Sequence, residues 1–68
     1  MSMKWIKSPS STHEWLYLNP TGRIVGLVSS DWRERQWYAI DERNLPSESM
    51  GRYLTLEDAK RAVEALFA

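Results

Sequence analysis

Sixty-eight residues, 43% of them hydrophobic and 26% charged, allow one small domain with a modest core. Nine basic side chains balance nine acidic ones, which excludes a global field drawing the chain onto nucleic acid or an anionic membrane. There is no cysteine, so disulfides and thiolate metal sites are excluded as well.

At the start of the chain, Met1-Ser2-Met3-Lys4-Trp5-Ile6-Lys7 has no apolar stretch of signal-peptide length, and lysine interrupts it twice. The longest apolar run, Ile24-Val25-Gly26-Leu27-Val28, falls far short of the ~20 residues of a spanning helix. Together they predict a cytoplasmic protein with no membrane partner.

Residues 3–7 can form a short strand, which the turn-rich linker Ser8-Pro9-Ser10-Ser11-Thr12 ends. Trp15-Leu16-Tyr17-Leu18 reads as a strand stopped by Asn19-Pro20-Thr21-Gly22, where proline presets φ and glycine accepts the left-handed conformation of a bulged hairpin loop. The return strand runs from Arg23 to about Ser30 and is rich in β-branched residues. A polar turn, Asp31-Trp32-Arg33-Glu34-Arg35, leads to a third strand over Gln36–Asp41. After an irregular connection over Asn44–Ser49, residues 50–54 supply a fourth short strand.

The last segment is one amphipathic helix over 55–67. Thr55 can cap it by accepting from the N–H three residues on, with Asp58 reaching back as in a capping box. Glu57 and Asp58 favour the positive end of the helix dipole. Leu56, Ala59, Val63, Leu66 and Phe67, with Ala62 at the edge, form its apolar stripe. The predicted fold is therefore α+β: a single domain with a three- to four-stranded antiparallel meander over 15–54, and one C-terminal helix packed on one face.

A sheet covered on one side should alternate apolar with polar residues, and these strands do not. Trp15 and Tyr17 oppose Leu16 and Leu18; Val25 and Leu27 oppose Ile24 and Val28; Trp37 and Ala39 oppose Tyr38 and Ile40. One short helix hides one face. The second must be covered by the N-terminal segment through Trp5 and Ile6, by another copy of the chain, or by a different protein. The expected contact residues are Trp15, Tyr17, Trp37 and Tyr38, with register able to exchange the first three for Leu16 and Tyr38.

Other constellations carry less. A DNA-binding sheet would draw on Arg23, Trp32, Arg33 and Arg35, with Arg43 nearby. Acidic residues interleave with them: residues 1–38 hold five basic and three acidic side chains, a net of +2 that is weak for tracking phosphates. His13-Glu14 beside Ser10, Ser11 and Thr12 offers a base, an acid and nucleophiles, but in a turn-rich linker with no oxyanion signal. Asp41, Glu42 and Glu48 match no calcium-loop spacing. Thr21-Gly22-Arg23 holds one glycine of a phosphate loop and nothing else of it. The connection Asn44–Ser49 is better suited to adaptable contacts.

Trp37-Tyr38-Ala39-Ile40 followed by Gly51 to Glu64 resembles the ending of many small phage and prophage accessory proteins. The layout is also similar to the three-stranded-sheet-plus-helix domains of phage-type integrases (the arm-binding domain) and plant ethylene-responsive factors, which read DNA with the uncovered sheet face. In those domains cations occupy the exposed strand positions, whereas Leu, Val, Tyr and Trp dominate here. The accessory-protein resemblance implies an interaction module, such as an inhibitor of a host protein, with no shared catalytic residues to carry over; the residues themselves show no catalytic, metal or phosphate signature, so a non-enzymatic protein without a cofactor is expected. The expectation is thus a protein that binds another protein or itself, with weak sheet-type DNA binding as the alternative.

Overall fold

The computed structural model describes residues 2–31, 33, 35–43 and 46–67. Within them lie five strands and one helix: β1 Lys4–Lys7, β2 Glu14–Leu18, β3 Ile24–Asp31, β4 Gln36–Asp41, β5 Glu48–Tyr53 and α1 Leu56–Glu64, which tightens into a 3-10 turn over Ala65–Phe67. The strands pair antiparallel in the order β1-β2-β3-β4-β5. The α+β class and the C-terminal helix follow the expectation, while the sheet has five strands rather than three or four.

The added strand is the first, and the last strand is longer than expected. β1 does not fold over the sheet; it pairs with β2, placing Trp5 opposite Tyr17 and Ile6 opposite Leu16. Its turn is closed by Ser8 N–H donating to the Glu14 carbonyl at 3.0 Å, and Ser8 is buried. At the other end, β5 pairs with β4 over Glu48–Tyr53 and so begins earlier than residue 50.

The β2–β3 hairpin is built as its turn residues require. Gly22 N–H donates to the Asn19 carbonyl at 2.9 Å, and Gly22 has φ +90°, in the region that favours glycine. Asn19 Oδ1 accepts from Thr21 N–H, the Thr21 hydroxyl and Arg23 N–H at 3.0, 2.7 and 2.9 Å, a polar knot that fixes the loop. Beyond it the register slips: Leu18 pairs with Ile24 and Tyr17 with Gly26, leaving Val25 as the extra residue of a bulge. A second slip, Ala39 with Gly51 and Ile40 with Ser49, makes Met50 the extra residue of β5.

Helix α1 starts where its cap is. Thr55 Oγ1 accepts from Asp58 N–H at 3.1 Å, satisfying one of the orphan donors of the first turn. Asp58 in turn lies 4.0 Å from Arg61. Ala59 and Val63 are fully buried against Tyr17, Val25, Val28 and Ala39, with Leu56, Ala62 and Phe67 packed around them. Leu66 is only partly buried and does not join that cluster, because the change to 3-10 winding after Glu64 brings Phe67 inward instead. The main core is therefore the layer between helix and sheet, and Leu18 is buried outside that cluster.

Candidate protein-interaction face

Cross-strand partners share a face, so the register divides the sheet into two sides. Under the helix lie Trp5, Trp15, Tyr17, Gly26, Val28, Trp37, Ala39 and Tyr53. On the opposite side Ile6, Leu16, Leu27 and Ile40 are successive cross-strand partners, forming one aliphatic row over four adjacent strands that ends on Ser49 of β5. All four are half-buried, and no helix covers them.

The neighbouring rows make a mixed rim. On one side run Glu14, Ser29, Tyr38 and Arg52, again as cross-strand partners from β2 to β5. The Arg52 guanidinium sits 5.8 Å from the Tyr38 ring centroid, within cation–π reach. On the other side Lys4, Leu18 and Ile24 pair in turn; Leu18 is buried and Ile24 is 41% exposed, so apolar surface reappears at Ile24 beside the hairpin. The open side is thus an aliphatic strip with a polar, charge-balanced rim.

Three of the four expected contact residues lie on the helix side of the sheet. Trp15 and Trp37 pack against the buried cluster and Tyr17 is part of it. Trp5 stacks at 4.5 Å on Tyr17, which meets Phe67 at 5.7 Å. Lys60 of α1 lies 4.4 Å from the Trp15 ring and 5.3 Å from that of Trp5, whose indole N–H donates to Glu64 Oε2 at 2.8 Å. Burial, and secondarily the Glu64 carboxylate, raises the Tyr17 phenol above its ordinary value. These aromatics hold the helix down. Tyr38 alone of the four is on the open side, joined there by Leu16.

The remaining candidates are dispersed. Arg23 precedes β3, whereas Arg33 and Arg35 follow it, so the eight residues of that strand separate the cations meant to grip one phosphate backbone. Trp32 lies outside the described residues. Arg35 adopts φ +56° in the β3–β4 turn, and Asp31 Oδ1 accepts from Arg33 N–H at 2.9 Å. His13 is exposed, and its carbonyl accepts from Ser30 N–H at 2.8 Å. Asp41 and Glu48 do meet as cross-strand partners, but the Arg43 guanidinium takes the Asp41 carboxylate at 2.8 Å and holds it below its usual range. Among the described residues no group of three or more His, Asp or Glu side chains could hold a metal ion, and no helix is long and apolar enough to cross a membrane. Of the connection 44–49, Asn44 and Leu45 lie outside the described residues, and Glu48 and Ser49 belong to β5.

No protein-family model, no curated protein and no solved structure matches this chain. The open row itself was missed by sequence reasoning, although one signal points to it. Gly26 sits inside a strand, which marks close approach of another backbone. A Cβ there would lie 2.5 Å from Val63 Cγ1, so the helix crosses Gly26 and covers whatever shares its face.

Proposed function

We propose that the protein is a small non-enzymatic interaction module, of the phage-accessory kind its layout resembles, that binds polypeptide with the sheet face opposite α1. The observation that carries this is the continuous row Ile6–Leu16–Leu27–Ile40, left uncovered by the helix and flanked by Tyr38. At ~25 cal/mol per Å2, a few hundred square ångströms of such surface supplies several kcal/mol toward association before entropy costs. Cytoplasmic action fits the sequence pattern.

Weak DNA binding by this face is the poorer reading. The open side mixes Lys4 and Arg52 with Glu14 and Asp31, and its centre is aliphatic, which desolvates without offering hydrogen bonds to bases.

The test is a photo-crosslinking side chain at Leu27, compared with one at Glu57 on the outer face of α1, in cells expressing the protein at native abundance. Adducts to polypeptide are expected from Leu27 and not from Glu57. Equal capture at both positions, or none at Leu27, overturns the reading.

A further inference from the structure

The rim row next to the aliphatic strip is self-complementary. Glu14 on β2 and Arg52 on β5 lie in one cross-strand row, with Ser29 and Tyr38 between them. Consider a two-fold axis parallel to the strands, midway between β3 and β4, with two copies face to face. The axis carries β2 onto the partner copy's β5 and β3 onto its β4. Leu27 then falls on Ile40, Leu16 on Ser49, Ser29 on Tyr38, and Glu14 on Arg52, each contact made twice as an isologous interface demands. A shift of the axis onto any single strand loses the charge match.

We infer that the occupant of the open face is a second copy of this chain, docked sheet on sheet about this axis, an inference that rests on the interaction reading above. Two features support it beyond the apolar strip. Opposite charges meet at both ends of the rim without any like-charge contact within that row, and the chain as a whole carries no net charge to repel its copy. The geometry tolerates the usual offset of aligned sheets: Glu14 and Arg52 lie about 7 Å from the axis, so a rotation of about 30° moves them by roughly 4 Å, within the reach of two long side chains. Arg52 keeps its contact with Tyr38 in this arrangement.

Size sets the strength. The overlapping strands β2 to β5 span about 14 Å across, and five to six residues run about 17–20 Å along, a footprint at the low end of specific interfaces. The dimer should therefore be weak, with a dissociation constant on the order of 10–100 μM.

Sedimentation equilibrium from about 5 μM to about 1 mM brackets that range. The parent protein is expected to move from monomer to dimer mass. Glu14→Arg and Arg52→Glu should each weaken the dimer about tenfold, since every reversal creates two like-charge contacts, and the double reversal should restore most of the loss. Circular dichroism of each variant confirms that the monomer is folded; both sites are on the sheet surface, so a folding defect would appear there and Glu14→Gln with Arg52→Gln would replace the reversals, each weakening the dimer. A parent that stays monomeric, or reversals that are neither disruptive singly nor compensating together, overturns the second-copy assignment. If the parent is monomeric while Leu27 still crosslinks to a different polypeptide, the assignment fails and the interaction reading stands.

Discussion

A Cβ on Gly26 would lie 2.5 Å from Val63 Cγ1, closer than any real side chain approaches another. Helix and sheet touch there through hydrogen on one side, and this contact sets how close α1 lies to β3. It also decides which face of the sheet is hidden, and so which face is left open.

Gly26→Ala should destabilise the fold by about 1–3 kcal/mol, because Val63 is fully buried and has no open space to retreat into. Combining it with Val63→Ala should cost clearly less than the sum of the two single changes, since the missing methyls make room for the new one. Chemical denaturation of the four proteins measures this. Additive losses would mean that the helix does not cross at Gly26.

Val63→Ala alone should cost roughly 2–3 kcal/mol, two buried methyl groups plus the cavity they leave. Leu66→Ala should cost under about 1 kcal/mol, although a continuous helical stripe would put it in the core, because it sits in the 3-10 turn apart from the buried cluster. Thermal melts separate the two. A larger loss at Leu66 would restore the straight-helix reading of residues 65–67.

Much of this was legible in the residues. The Thr55 cap, the Asn19-Pro20-Thr21-Gly22 hairpin and the β4 span all follow from local chemistry, and the structure has each of them. What sequence could not place was the Val25 bulge. By strict alternation Val25 shares a face with Leu27, but the extra residue lets Val25 join the core while Leu27 turns to the open side with Leu16. β1 was a second such case: Lys4–Lys7 is too short to declare whether it lies over the sheet or beside it, and backbone pairing decided. The aromatic residues could not be assigned to a face from sequence for a related reason, since large rings suit an interface and a core equally well; the structure places Trp15, Tyr17 and Trp37 beneath the helix.

The Tyr17 phenol has a raised pKa in the fold, above its ordinary value of 10.0. Its contribution to stability is therefore fully present below the unfolded value of about 10 and is lost as pH climbs through the higher folded value. Unfolding by urea at about pH 9 and about pH 11 should show a loss in the parent that is smaller in Tyr17→Phe. Asp41, held low by Arg43, works in the opposite direction: its contribution is present above the unfolded carboxylate value and fades as pH falls through the lower folded one. If the alkaline losses of parent and Tyr17→Phe coincide, the ring is not buried beneath α1.

Random duplex DNA should not be bound tightly at about 0.15 M salt, and any low-salt binding should fall steeply as salt rises. Arg33→Glu combined with Arg35→Glu should leave protein association unchanged, since both residues lie in the β3–β4 turn. Submicromolar, sequence-selective binding that this pair abolishes would favour the DNA reading instead.

In the proposed function the row Ile6–Leu16–Leu27–Ile40 is covered by polypeptide when the protein works. Hydroxyl-radical footprinting reads this directly, by comparing oxidation of Leu16, Leu27 and Ile40 in intact cells with that in purified protein diluted to about 0.1 μM, where a weak complex has dissociated. These three side chains are expected to be protected several-fold in cells while the 78% exposed Leu54 is oxidised equally in both. Equal oxidation of Leu16, Leu27 and Ile40 in cells and in dilute solution would contradict it.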